Sequence, residues 1–237
     1  MILVLGGTHE AHKIAVELQK AGVAFILSLA GVTSAPAKRF YKVRTGGFGG
    51  VTGLIEYLRK EEISGVIDAT HPFAITMSGS AATAAPAAGL PLLQFVRQEW
   101  EVQSGWTRAS DLPAAAKALP QGARAFLTVG AQSLAPFVHR SDVWFLYRGI
   151  EQVLTPFSQG EAIIQRPPFT LEAEIALMKT HRISHLVTKN AGGDQTRAKL
   201  DAATQLGISV IMVDRPVLPV VENASTVLDV LRWAQRI

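Results

Sequence analysis

Three groups of residues have types and spacings suited to chemistry. Gly6, Gly7 and Thr8 follow the apolar run Ile2–Leu5. Asp68-Ala69-Thr70-His71-Pro72-Phe73-Ala74 follows Gly65–Ile67, and Lys189, Asn190, Gly192 and Gly193 follow His185–Thr188, with Lys199 and Arg215 downstream. A strand turning sharply into a helix presents unpaired backbone N–H groups and the positive end of the helix dipole, which suits phosphate, and glycine lets the anion come close. Against the dinucleotide fingerprint, Gly6 fills the first glycine place and Ala11 the last permitted one, while Thr8 stands at the middle glycine. A plain tight turn without ligand is the competing reading.

Histidine titrates near neutrality, so His71 at a strand end can bind a carboxylate or pass a proton, which makes it the candidate catalytic residue. The alternative is structural, with Thr70 or His71 capping the next helix and Pro72 in its first position. Lys189, Lys199 and Arg215 suit a polyanion. Their competing reading is a surface network, such as Lys199 with Asp194 or Arg215 with Asp214.

Two further stretches bear on a nucleotide. Gly46-Gly47-Phe48-Gly49-Gly50 places four glycines around one aromatic, a loop able to close over a flat ligand; Phe48 packing into the core is the other reading. The second strand ends at Ser28-Leu29 with no acid for the adenosine ribose of NAD. Hydroxyl and basic groups there, Ser28 with Lys38 and Arg39, favour the 2′-phosphate of NADP, unless Lys38 and Arg39 are a solvated pair. Cofactor candidates are thus Gly6, Gly7, Thr8, Ser28, Gly46, Gly47, Phe48, Gly49, Gly50 and Thr70.

The elements that must position these groups alternate. Periodicity predicts strands at 2–5, 24–29, 41–44, 65–67 and 92–95, with helices over 10–21, 51–61 and 76–88 between them. Beyond the polar, tryptophan-bearing stretch 96–108, it predicts strands at 124–128, 143–146, 162–165, 185–188 and 209–213. Helices near 111–118, 171–181 and 197–206 and a last one from Thr226 accompany them, with a helical turn around 133–138. The expected fold is α/β, with two Rossmann-like domains, each a mainly parallel sheet with flanking helices, and a ligand cleft between them. The expected domains are 1–96, binding the dinucleotide, and 97–237, contributing to substrate binding.

Composition narrows the classes. The chain has 237 residues, 48% of them hydrophobic, enough for buried cores. Without cysteine it has no disulfide, thiolate metal site or cysteine nucleophile, which fits a cytoplasmic protein. No metal site is expected. No apolar run approaches the ~20 residues that span a bilayer, and Met1–Leu5 runs into a glycine turn rather than a signal sequence, so neither membrane insertion nor secretion is expected. The net charge of +4 comes from scattered residues. Residues 1–96 carry 8 basic and 6 acidic groups and residues 97–237 carry 15 and 13, so neither part is a basic arm for nucleic acid.

Taken in order, Leu-Gly-Gly-Thr-His-Glu-Ala at 5–11, Gly-Gly-Phe-Gly-Gly at 46–50, Asp-Ala-Thr-His-Pro-Phe-Ala at 68–74, Ser-Leu-Ala-Pro-Phe at 133–137, Thr-Lys-Asn-Ala-Gly-Gly at 188–193 and Asp-Arg-Pro at 214–216 closely resemble the precorrin-6A reductase family of corrin biosynthesis. The resemblance runs end to end. It implies NADPH-dependent reduction of one double bond in a polycarboxylate tetrapyrrole-derived macrocycle, precorrin-6A becoming precorrin-6B in cobalamin biosynthesis, with handover to neighbouring enzymes. It also implies a cofactor site at the glycine motifs, the His71 loop lining the same cleft, and substrate contacts at Lys189, Asn190, Gly192, Gly193, Lys199 and Arg215. Val32 and Ala131 depart from the pattern, each standing where relatives carry arginine, so each removes a cation. Reduction of the cobalt-containing analogue with NADH and a non-catalytic NADP-binding sensor are the alternatives.

Overall fold

A computed structural model describes residues 1–31, 41–150 and 156–237; Val32, Lys38 and Arg39 lie outside the described residues. The chain opens with β1 (Ile2–Leu5), α1 (His9–Lys20), β2 (Phe25–Leu29), β3 (Lys42–Thr45), α2 (Gly50–Lys60), β4 (Gly65–Asp68), α3 (Ile75–Ala87) and β5 (Leu92–Phe95). It continues through β6 (Thr107–Ala109), α4 (Leu112–Ala118), β7 (Arg124–Thr128), β8 (Trp144–Gly149), β9 (Gly160–Ile164), α5 (Leu171–Thr180), β10 (His185–Lys189), α6 (Ala198–Gln205) and β11 (Ser209–Val213). It ends with β12 (Glu222–Ala224) and α7 (Val227–Ala234).

Local sequence explains where several helices start. Thr8, Asp111, Thr170 and Thr226 each accept a hydrogen bond from the backbone N–H three residues on, a cap worth about 1 kcal/mol. The continuous apolar run of β1 reflects burial on both faces. Ile2 and Val4 pack with Ile14, Leu18 and Trp233 from α1 and α7, whereas Leu3 and Leu5 pack with Leu54, Leu58, Ala81 and Ala84 from α2 and α3.

Two six-stranded sheets result, and every strand pair is parallel. The first runs β3-β2-β1-β4-β5-β12, the 3-2-1-4-5-6 order of a doubly wound dinucleotide-binding sheet. The second runs β6-β11-β10-β7-β8-β9. In the first sheet the order reverses between β1 and β4, and in the second between β7 and β10. Neighbouring strands there send their connections in opposite directions and leave a crevice at their carboxyl ends.

The chain forms two compact units, residues 1–98 with 216–237, and residues 99–215. This corrects the expected assignment of 97–237 to one domain. The last 22 residues return to the first unit, because β12 pairs along β5 and the α7 face carrying Val230, Trp233 and Ala234 fills the core beside α1. Periodicity misses β12 and β6 for one physical reason. Glu-Asn-Ala and Thr-Arg-Ala are three-residue edge strands, each with only one buried side chain, so neither carries an apolar pattern.

Candidate functional site

In the first unit the crevice between β1 and β4 brings two of the predicted groups together. Thr8 caps α1, accepting from the Ala11 N–H at 3.1 Å, and its Oγ1 donates to the Ala69 carbonyl at 2.8 Å. The Gly6–Thr8 turn is thereby tied to the strand end that leads to His71. Position 6 is crowded, since a Cβ there would lie 2.7 Å from Leu27 Cδ1 and 3.2 Å from Ala11 Cβ and would push both aside. Gly7 has φ +111° and open space where a side chain would point, so backbone can meet a ligand there. These are the two properties that a pyrophosphate-binding turn needs, and the first turn of α1 adds its dipole. Thr8 itself spends its hydroxyl on the fold.

Glu10 in that first turn would repel an anion, and Arg97, just beyond β5, offsets it at 3.4 Å. Burial lowers the Arg97 pKa and the Glu10 carboxylate opposes that shift. Sequence reasoning places Arg97 in a connector; nothing in its local pattern marks the ion pair.

The His71 loop differs from the expected cap. α3 begins at Ile75 with Ala74 as an N-cap that makes no side-chain bond, and 71–74 form a turn closed by Ala74 N–H donating to the His71 carbonyl at 2.7 Å. Thr70 instead donates its hydroxyl to Asp68 Oδ1 at 2.6 Å. His71 is exposed, and its Nδ1 accepts from the Phe73 N–H at 3.2 Å, which leaves Nε2 as the protonated nitrogen of the neutral ring. Protonating Nδ1 breaks that bond.

Beside this crevice, the ends of β2 and β3 carry a constellation with one member that sequence reasoning passes over. Arg44 lies in register with Ser28; its Nη1 donates to Ser28 Oγ at 2.8 Å and its Nη2 to the Gly47 carbonyl at 2.9 Å. Its guanidinium carbon sits 3.8 Å from the Phe48 ring centroid. Phe48 meets Tyr57 edge-on at 5.2 Å and packs partly into the core, the structural alternative weighed for it. Ser28 is only 5% exposed and holds Arg44 rather than offering a free hydroxyl. The signal that identifies Arg44 is a cation at a strand end immediately before a glycine loop. Gly46 and Gly47 form that loop, Gly49 in the left-handed region caps α2, and Gly50 begins the helix.

In the second unit the crevice between β7 and β10 is braced by Lys189, whose Nζ donates to the buried Ser133 Oγ at 2.7 Å. Burial lowers the Lys189 pKa. The rest of the loop grips the chain's own Glu99 and Trp100. Asn190, 2% exposed, accepts from the Trp100 N–H at 2.9 Å and donates to the Trp100 carbonyl at 3.2 Å and to Glu99 Oε2 at 3.1 Å. The Gly193 carbonyl takes the Trp100 indole N–H at 2.9 Å. Gly192 and Gly193 both have positive φ in this turn. Arg215 donates from Nε to the Asn190 carbonyl at 2.9 Å.

Lys199 is buried, 5% exposed, with its ammonium 5.4 Å from the Trp100 ring centroid. Burial, with Arg148 nearby, lowers its pKa to about 7, and Glu174 opposes the shift. Lys199 is thus withdrawn from any surface pair, and Asp214 pairs with Arg108 at 3.0 Å while Arg215 Nε lies 4.0 Å from Glu99 Oε1. For Asn190 and Lys199 the expected substrate contact gives way to a structural one, since both side chains are withdrawn around Trp100. Of the basic side chains expected to face an anion, Lys189 is the one at the crevice itself.

Among the described residues no group of three or more His, Asp or Glu side chains is placed to hold a metal ion, and no helix is long and apolar enough to cross a membrane.

Comparison with known proteins places this geometry. Residues 1–235 match the family described as precorrin-6x reductase CbiJ/CobK. The chain is 43% identical to the precorrin-6A reductase of Rhodobacter capsulatus, over 98% of this chain and 94% of that protein. It is 44% identical to the precorrin-6A reductase of Rhodococcus erythropolis, over 98% and 96%. The solved structure of a CobK precorrin-6A reductase superposes with a TM-score of 0.93 at 42% identity, covering 99% of this chain and 96% of that one.

Proposed function

The chain belongs to the precorrin-6x reductase family, and from that premise we propose that it reduces precorrin-6A to precorrin-6B in cobalamin biosynthesis, with NADPH as reductant. The observation that carries the cofactor reading is the β1/β4 crevice, where a side chain at Gly6 would crowd Leu27 and Ala11, Gly7 adopts a conformation favouring glycine, and Thr8 braces the turn against Ala69. A dinucleotide fits this cradle through the Gly7 backbone and the first turn of α1. Once bound, the dihydronicotinamide supplies a hydride to an electron-poor carbon of the macrocycle.

The remaining work falls to the protein. The Gly46–Gly50 loop and Phe48 hold the adenosine end, and Arg97 offsets the Glu10 charge beside the pyrophosphate. His71 is the candidate for delivering the proton to the carbon next to the one reduced. Its acid form requires a proton on Nδ1 and release of the Phe73 N–H. Lys189 is the candidate contact for a substrate carboxylate, with Ser133 holding its ammonium. A mildly basic protein assists capture of a polycarboxylate, so added salt raises KM.

The test is to mix purified protein, precorrin-6A and NADPH, then follow cofactor oxidation and product mass. The expected product is heavier by a hydride and a proton. Tight NADPH binding without oxidation by precorrin-6A would instead identify a non-catalytic NADP sensor.

A further inference from the structure

We propose that Arg44 is the residue that selects the phosphorylated dinucleotide, gripping the adenosine 2′-phosphate with the edge of its guanidinium. The inference rests on the reading of the β1/β4 crevice as a dinucleotide site. In a sheet of this order the adenosine ribose lies at the carboxyl end of the second strand. Here β2 ends at Ser28-Leu29, without the carboxylate that would hydrogen-bond a free ribose 2′-hydroxyl, and Arg44 sits beside Ser28 on the neighbouring strand.

Three features fit Arg44 to an anion. First, its charge is uncancelled. Arg97, Arg108, Arg140 and Arg148 each meet a carboxylate, whereas among the described residues the hydrogen-bond partners of Arg44 are a neutral hydroxyl and a carbonyl. The acid on the adjacent helix end, Glu61, is already bound to Lys42 at 2.7 Å. Second, two of its five N–H groups are used, which leaves donors for a phosphate. Third, it is held in advance. Ser28 and Gly47 fix its edge, and Phe48 at 3.8 Å covers one face of the planar group. A preorganised guanidinium loses less side-chain entropy when a ligand arrives.

Calorimetry with adenosine 2′,5′-bisphosphate and adenosine 5′-monophosphate isolates the phosphate from the reaction. The native protein is expected to bind the bisphosphate roughly 10- to 100-fold more tightly, as charge-assisted hydrogen bonds imply, with a preference that shrinks as salt is added. Arg44→Leu should bring the ratio close to one while leaving monophosphate affinity within about twofold, Arg44→Lys should keep part of it, and Ser28→Ala should reduce it by a smaller factor. Thermal unfolding of each variant checks that the fold persists. A full preference in Arg44→Leu overturns the assignment, as does its loss in the double variant Lys38→Ala, Arg39→Ala. Binding of the monophosphate alone by the native protein refutes the 2′-phosphate role but keeps the dinucleotide site; binding of neither nucleotide removes both.

Discussion

The two crevices share a topology and use it differently. In each, neighbouring parallel strands send their connections in opposite directions and a side chain braces the gap, Thr8 to Ala69 in the first unit and Lys189 to Ser133 in the second. Around the first, Gly7, Gly46, Gly49 and Gly50 have open space where side chains would point. In the second, the loop after β10 closes on Trp100 through Asn190 and Gly193. A glycine-bearing strand end is therefore not by itself a ligand site. What matters is whether the chain supplies its own occupant, and in the second unit a tryptophan satisfies the polar groups that a ligand would otherwise meet.

The sharpest way to break this contrast is to remove the occupant. Trp100→Ala should cost about 3–5 kcal/mol of stability, since a 5% exposed indole is lost and the Gly193 carbonyl loses its indole N–H partner. Chemical denaturation measures it, and a loss below about 1 kcal/mol would mean that the loop stands without its occupant. Next in size is Gly53→Ala. Its Cβ would lie 1.8 Å from the Phe48 carbonyl oxygen, so the glycine loop must move, at about 1–3 kcal/mol. NADPH affinity should fall at least tenfold, as read by fluorescence titration, whereas Trp100→Ala leaves it unchanged wherever the variant remains folded.

Lys199→Met sharpens the comparison from the other side. The Lys199 pKa is about 7 in the folded protein against 10.5 for a free lysine. Between those values the unfolded chain binds a proton that the folded chain does not, so this group makes stability rise with pH through that window and imposes its full penalty below it. The variant should be more stable at neutral pH by about 1 kcal/mol or more and should lack that segment of the pH dependence. Melting curves at several pH values decide it, and an unchanged KM would agree with a structural lysine. Lys189→Ala gives the smallest change in stability. It should raise KM for precorrin-6A roughly tenfold while NADPH affinity stays constant, because one charge-assisted contact is removed; equal losses for both ligands would contradict a substrate role.

Much of this protein is legible in its residues. Short apolar runs that end at a turn place β1, β4 and β10, because buried parallel strands must be apolar on both faces. Threonine and aspartate caps start α1, α4, α5 and α7 where the pattern expects them. Gly6 and Ala11 read as a tight strand–helix turn, and the 3.2 Å that would separate a Cβ at position 6 from the Ala11 Cβ shows why. The first crossing between the units, expected after residue 96, falls after residue 98, whereas the return at residue 216 is illegible, because β12 is three residues with one buried side chain and gains its place only from the free edge of β5.

Sequence alone determined the alternation of strands and helices, the family resemblance and the glycine turns that an anion can approach, since these depend on local backbone conformation and short-range burial patterns. Only the tertiary structure decided which cations stay at a strand end and which are withdrawn. Arg44 meets Ser28 across 16 positions and Asn190 meets Trp100 across 90. A charge's partner is set by what folding brings within about 3 Å, and no spacing along the chain encodes that distance.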